Sequence, residues 1–406
     1  MCINFILSTI NKLCPSQKYR RLQKSDINLP TLDIEDLDMD ELEESQKDEL
    51  LDDAGGSLTY GIVGSGQGGG RIAKAFYDLG YTKTVCFNLA QSDLNFLELP
   101  DRNKHHLQFE GSQGAEKDHA FSQKAFETRS QEIFNKFKEI FGNDIDRIMI
   151  CVGVGGGTGG GSVMQLLKVA KKYFTYIGVD NPSERVGVIA SLPTTGECAS
   201  PVVANNSYNR MNDLCKAADK KEFAPLVIVD NDKIKKLYPK LTVKQFWPTL
   251  NNTVAGLFHI FNLLSNKDSN YTAFDSADYN SIMKTSGCMI FGATTVKNAE
   301  SETSLSAALK NNLEKTLLAG GFDLTTAQGA ASVIVGGTIL YETVPGLMDN
   351  IEYGFDTLAA LTGGAIVHRG IYEDPERDKL VAYTIVGGLK SPKKRIEELK
   401  KFINLK

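Results

Sequence analysis

The chain has 406 residues, 42% of them hydrophobic, enough to bury the cores of two domains and carry a tail. Lysine plus arginine total 45 against 50 acidic residues, and the net charge of -5 argues against direct nucleic-acid binding as the main activity. Seven scattered cysteines without a CxxC pair fit reduced thiols rather than a disulfide framework, and no stretch approaches the ~20 apolar residues of a membrane span, so a cytoplasmic location is expected.

In chain order, residues 1–55 read as a charged tail. Bases but no acids precede Lys24, whereas Asp33 to Asp53 holds twelve Asp or Glu against one lysine. Self-repulsion and few aromatics favour a disordered or loosely helical segment, whose basic, partly apolar start leaves contact with a membrane or adaptor open. Apolar strands followed by glycine loops and helical runs then begin, at Leu58 to Val63, Thr84 to Phe87, Arg147 to Val152, Arg185 to Ala190 and Pro225 to Val229. This alternation implies an α/β nucleotide-binding domain over residues 56–246, a largely parallel sheet with ligands at the carboxyl ends of its strands.

A helix from Leu250 to Leu264 keeps Val254, Leu257, Phe258, Phe261 and Leu264 near helical spacing, and residues 247–266 form the expected bridge to a second domain. That domain, 267–390, has expected strands at Gly287 to Ala293, Ala331 to Leu340 and Leu380 to Val386, with helices at Ser304 to Leu318 and Met348 to Leu361. Residues 391–406 read as a short basic amphipathic helix, with Ile396, Leu399 and Phe402 or Ile403 recurring among lysines. It packs on its own body or meets a membrane or adaptor.

Two glycine loops carry the chemistry. Gly64-Ser65-Gly66-Gln67-Gly68-Gly69-Gly70 follows the first strand and precedes a helix over Ile72 to Leu79; its bare backbone can approach a phosphate, and the helix N-terminus supplies N–H donors. Gly64, Gly66 and Gly69 also satisfy GxGxxG, but the next strand ends at Asn88 rather than the acid that an NAD-dependent Rossmann oxidoreductase uses for the ribose. The second loop, Gly153 to Ser162, has seven glycines in nine positions, and Thr158 and Ser162 add hydroxyl donors. Neither loop has the P-loop lysine, so phosphate charge must be met by backbone N–H groups, helix ends and a divalent cation. The five histidines (His105, His106, His119, His259, His368) lack metal-ligand spacing, and no protein-held metal is expected.

The run Gly155 to Gly161, GGGTGGG, resembles the GGGTG[ST]G signature of the tubulin/FtsZ superfamily, with Gly160 in place of Ser or Thr. The resemblance extends from Leu58 to about Leu389. It implies a parallel-sheet GTP-binding domain joined by a central helix to a smaller α+β domain, binding GTP/GDP with Mg2+. Phosphate contacts are implied for Gly66, Gln67, Gly68, Gly69, Gly155, Gly156, Gly157, Thr158 and Gly159. Gly114 and Ala115 match the γ-phosphate-sensing loop, and Asn88, Ala90 and Gln91 the loop after the second strand. Pro193 and Glu197 resemble the loop whose glutamate lies along the ribose, while Pro201 stands where the family has an arginine. Asn231 and Asn251 resemble the asparagines that read guanine, and Trp247, or else Phe246, stands where an aromatic stacks on the base.

Asp275 and Asp278 resemble the acids of the catalytic loop, with Ala273 replacing its asparagine. If helical, the segment sets both carboxylates on one face. The resemblance implies a GTPase that polymerises head-to-tail with copies of itself, the next subunit completing each active site, in cell division or in positioning of DNA, plasmid or phage. Ala273, Gly160 and Pro201 keep open a structural GTP-binding filament with little hydrolysis. The body ends too near the C-terminus for the linker and recruiting peptide of FtsZ-type proteins, which counts against an ordinary cytokinetic role unless the N-terminal tail recruits instead; any DNA contact is expected through an adaptor.

Overall fold

The computed structural model describes residues 54–237, 240–296, 298–301, 303–314, 318–375 and 377–403; the charged tail before residue 54 lies outside them. The first half contributes β1 (Tyr60–Ser65), β2 (Thr84–Asn88), β3 (Lys104–His106), β4 (Arg147–Gly153), β5 (Val186–Leu192) and β6 (Leu226–Asp230). All six are parallel, in the order β3-β2-β1-β4-β5-β6. The connecting helices are α1 (Gly66–Asp78), α2 (His119–Thr128), α3 (Ser130–Phe141), α4 (Gly157–Tyr176), α5 (Pro201–Asp219), α6 (Asn231–Leu237) and α7 (Val243–Leu264).

Alternate strand residues face opposite sides of the sheet. Val63, Ile148, Ile150 and Val152 pack with Phe126, Phe137, Leu166 and Leu214 of α2 to α5. Ile62, Met149 and Cys151 pack instead with Phe76 of α1 and Phe258 and Phe261 of α7. Both faces are therefore covered, which is why these strands are apolar throughout rather than alternating.

The second half adds β7 (Cys288–Thr295), β8 (Gly329–Gly336), β9 (Ile366–Glu373) and β10 (Val381–Leu389), with helices α8 (Ser276–Met283), α9 (Ser304–Glu314) and α10 (Leu347–Leu361). β10 is antiparallel to β7 and β8, and β8 is parallel to β9. β7 continues the first sheet beside β6 through Leu226↔Cys288 and Val227↔Met289, making one ten-stranded sheet.

Several boundaries differ from the sequence reading. Helices α1 and α4 begin at Gly66 and Gly157, within the glycine loops, because loop packing holds residues of poor intrinsic helix propensity in helical geometry. Helix α7 begins at Val243 rather than Leu250: Thr242 Oγ1 accepts from the Gln245 N–H and Gln245 Oε1 from the Thr242 N–H, a capping box that starts the helix ahead of Pro248. The strand expected to reach Leu340 stops at Gly336, and Thr338–Thr343 is helical. Strand β9, polar and partly exposed along its first half, was not anticipated. The C-terminal amphipathic helix is two short segments, Lys393–Glu397 and Lys400–Ile403, and Ile396 in the first and Leu399 between the two are buried in the body's own core. Its apolar stripe is thus covered.

Candidate functional site

The two glycine loops meet where the strand order reverses, between the carboxyl ends of β1 and β4, the position at which open α/β sheets bind ligands. Ser65 and Ser162 join them through a buried hydroxyl pair at 2.7 Å. Gly66 takes a left-handed φ of +68°, and a Cβ there would come within 2.8 Å of the Gly159 nitrogen. A Cβ on Gly69 would overlap the Cys151 carbonyl oxygen of β4, so Gly66 is demanded by packing on the second loop and Gly69 by packing on the strand. Gly68 and Gly156 differ. Both are exposed, and a Cβ would lie 3.6 Å from Gly153 Cα in one case and 3.7 Å from Gly153 O in the other, ordinary contact distances. With exposed Gln67 they leave bare backbone at the N-termini of α1 and α4, the arrangement that suits an anion.

The rim comes from two further segments. Asn88, at the end of β2, accepts on Oδ1 from the Ala90 N–H (3.1 Å) and from Thr158 Oγ1 (3.3 Å), and donates from Nδ2 to Asp93 (3.1 Å). Its side chain therefore ties the loop of Ala90 and Gln91 to the signature loop. Gly114 approaches Ala90, and a Cβ on Gly157 would sit 2.8 Å from Ala115 Cβ, so the segment before α2 lies directly over the start of α4. His119 donates from Nε2 to the Gly156 carbonyl at 2.9 Å, and a Cβ on Gly160 would overlap its ring. The departure from the signature at Gly160 thus has a steric reason: imidazole occupies the space of the usual side chain. Burial and then the Arg210 charge lower the His119 pKa, favouring the neutral ring that makes this bond.

On the other flank, Asn231 opens α6 directly after β6. It is 5% exposed, and its Oδ1 is buried without a hydrogen-bond partner. Asn251, 7% exposed, belongs to α7. About one turn earlier in α7, Trp247 is half-buried edge-on to Phe246 (4.9 Å), with the Arg71 guanidinium of α1 6.0 Å from its ring centroid. Glu197 is exposed, and its Oε2 accepts from the Thr194 N–H (2.7 Å) and Thr194 Oγ1 (2.9 Å), closing its own turn. Asp230, just ahead of Asn231, is held on both oxygens by Arg395 from the C-terminal segment. Sequence reasoning missed Arg395 and His119, because neither lies near the motif it supports.

The acid pair is elsewhere. Asp275 is not helical but caps α8 in extended geometry: its Oδ1 accepts from the Asp278 N–H at 2.9 Å, while Asp278 Oδ2 accepts from the Asp275 N–H at 3.4 Å. This reciprocal capping box ties each carboxylate to the other residue's backbone N–H, instead of setting both on a shared helical face. Asp278 Oδ1 also lies 2.6 Å from His368 Nδ1 on β9. Helix α8 is pinned to the amino ends of the parallel strands: Tyr60 Oη, on the first residue of β1, donates to Tyr279 Oη at 3.0 Å. Arg147, the first residue of β4, donates to the Met283 carbonyl at 2.7 Å. A strand of this length spans roughly 20 Å. One chain therefore keeps its acid pair and its glycine loops at opposite ends of the sheet.

Among the described residues, no group of three or more His, Cys, Asp or Glu could hold a metal, and no helix is long and apolar enough to cross a membrane.

The family model of the C-terminal domain of the tubulin-like protein TubZ matches residues 272–393, the stretch that holds Asp275, Asp278 and His368. The tubulin-like protein TubZ of Bacillus cereus is 24% identical over 282 residues, which cover 64% of this chain and 62% of that protein, so the match spans less than two thirds of the relative's length. The tubulin-like protein CetZ of Pyrococcus abyssi is 24% identical over 333 residues, 81% of this chain and 85% of the relative. The fold is similar to that of TubZ from Bacillus thuringiensis serovar israelensis in a GTPγS-form protofilament, with a TM-score of 0.70 at 20% identity over 85% of this chain and 91% of that one. The glycine signature, the reversal of strand order at the two loops and these likenesses together support the tubulin/FtsZ superfamily for this chain.

Proposed function

We propose that this chain binds GTP between β1 and β4 and hydrolyses it within a head-to-tail homopolymer, the acid pair of one subunit serving the nucleotide of the next. The observation that carries this reading is the placement of Asp275 and Asp278 at the amino ends of the strands whose carboxyl ends hold the glycine loops. Stacking copies in one orientation apposes the two half-sites, and such a heterologous contact propagates a filament rather than closing a dimer.

The base side supports guanine. The orphaned Asn231 Oδ1 is a buried acceptor, and the guanine edge offers N–H donors that adenine lacks there. Trp247 supplies an aromatic surface for the base, and Asn251 a second amide. The exposed amides around Gln67, Gly68 and Gly156, with Thr158, face the phosphates. The described residues form no carboxylate cage, so Mg2+ fits as an ion carried by the phosphates, where it neutralises their charge. Asp275 and Asp278 then orient and polarise the attacking water, the positioning and charge stabilisation on which phosphoryl transfer depends. Residues 56–246 are accordingly the nucleotide-binding part, 247–266 the connecting helix and 267–390 the activating part.

The test is GTP turnover per subunit against protein concentration, with polymer sedimented in parallel. Turnover that rises with assembly, and is lost in Asp278→Ala while nucleotide still binds, is expected. A rate independent of concentration would place hydrolysis within one chain and end the shared-site mechanism. Polymer that needs GTP but barely consumes it would favour the structural-filament reading, which the mutual capping of the two carboxylates also supports.

A further inference from the structure

Strand β9 meets the acid loop along one face. Ile371 donates its N–H to the Thr272 carbonyl at 2.8 Å in an isolated antiparallel bridge, which sets the register between them. His368, Gly370 and Tyr372 alternate along the strand and so share a side. On that side Tyr372 Oη accepts from the Phe274 N–H (2.9 Å) and donates to the Phe274 carbonyl (3.1 Å). Gly370 allows close approach, since a Cβ there would lie 2.9 Å from Phe274 Cβ. His368 completes the row, with Nδ1 2.6 Å from Asp278 Oδ1 and Nε2 3.1 Å from Ser281 Oγ, one turn further along α8. Arg369 points the other way and pairs with Glu352 and Asp356 of α10, which leaves the imidazole as the nitrogen donor on Asp278 Oδ1.

We propose that His368 is a positioning residue for hydrolysis: it donates Nδ1–H to Asp278 and holds that carboxylate at the angle from which it orients water on the neighbouring subunit's nucleotide. The inference rests on the shared-site reading above. The capping bond from the Asp275 N–H restrains Oδ2 at 3.4 Å, a long contact that leaves the carboxylate plane loosely defined. The bond at 2.6 Å to an imidazole anchored on a different element removes that freedom. Ser281 secures the ring. Its hydroxyl donates to the Asp278 carbonyl at 2.8 Å and its oxygen faces Nε2 as an acceptor, while Nδ1–H serves the Asp278 carboxylate. The His368 and Asp278 side chains are 22% and 29% exposed, open enough for Asp278 to reach a substrate and covered enough for the pair to persist.

The test compares His368→Ala, His368→Asn, Asp278→Ala and the His368→Ala/Asp278→Ala double variant with the wild-type full chain. The readouts are steady-state GTP turnover per polymerised subunit, the GTP concentration for half-maximal rate, the critical concentration for sedimentation and Tm. His368→Ala should lower turnover by roughly tenfold with the other three readouts little changed, within the range measured for directly coupled side chains. His368→Asn, whose amide N–H stands near the Nδ1 position, should recover much of the loss, and the double variant should be no slower than Asp278→Ala alone. Wild-type turnover in His368→Ala would overturn the proposal. So would a further loss in the double variant, which would show the histidine acting other than through Asp278, or a raised critical concentration, which would assign it to the filament contact. Wild-type polymer without turnover would overturn the hydrolysis reading and this inference together, whereas the other failures leave that reading standing.

Discussion

Arg395 donates from Nε and Nη2 to the two carboxylate oxygens of Asp230 at 2.6 and 3.0 Å, joining the C-terminal segment to the end of β6. Asp230 is 4% exposed, and its Oδ1 also accepts from the Asp232 and Lys233 N–H groups, so the same carboxylate fixes the start of α6 and with it Asn231.

Removing Arg395 would strand a buried carboxylate. Arg395→Ala should cost about 3 kcal/mol, at the lower end of the range for breaking a buried ion pair because Arg395 keeps some solvent contact. GTP affinity should fall as Asn231 loses its support. Urea unfolding and equilibrium nucleotide binding measure the two effects; if stability falls and affinity does not, the link between Asp230 and the base site is broken.

The glycines of the two loops should separate into two groups. Gly68→Ala adds a methyl that meets the protein at 3.6 Å, inside a helix where alanine is the better former, so Tm should hold or rise slightly. The same methyl projects into the phosphate mouth, and GTP binding should weaken at least tenfold, a loss of about 1.4 kcal/mol. Gly69→Ala and Gly160→Ser instead collide with Cys151 O and with the His119 ring, and should destabilise the fold by about 1–3 kcal/mol. Thermal melts with and without GTP distinguish the groups, and equal losses of Tm at Gly68 and Gly69 would contradict the assignment.

Asn231 offers a sharper test of the base. Asn231→Ala removes a buried acceptor that has no partner in the free protein, so its stability should change little or improve. GTP affinity should drop by about 10–100-fold, and preference over ATP should fall with it. Competition binding with both nucleotides reads this directly; an unaltered GTP to ATP ratio would remove Asn231 from base recognition.

His259 predicts the acid limb of stability. Burial pushes its pKa down from 6.5 to about 3, so the folded state disfavours the proton that the unfolded chain accepts. Its contribution is therefore fully present above pH 6.5 and is lost as pH falls from there toward 3, at up to about 1.4 kcal/mol per pH unit. His259→Gln should flatten the stability profile between pH 6.5 and 4. Below that window Asp232 adds its own loss. Burial opposes its charge, but Lys236 and the Thr195 N–H hold its pKa at about 2. Denaturant midpoints across this range for both proteins are the measurement; parallel curves would exclude His259 as the source.

Local chemistry by itself determined a good deal. Apolar runs buried on both faces marked β1, β4, β5 and β6, and glycine-dense turns after strands marked the two loops. The three-residue spacing of Asp275 and Asp278 was equally visible, but it read as a shared helical face, whereas the fold uses it as a capping box. Each of these is set within a few positions of chain, where backbone sterics and side-chain reach suffice. What the tertiary structure alone decided are relations across long separations. His119 filling the space above Gly160, Arg395 closing on Asp230 and His368 meeting Asp278 all join residues with no shared local pattern. Even identical glycines took different meanings: Gly69 is bare because a strand carbonyl lies against it, and Gly68 because nothing does. Packing assigns such roles. Adjacency in a folded chain follows from which hydrophobic faces cover the sheet, and that choice is made by the whole core at once rather than by any one segment.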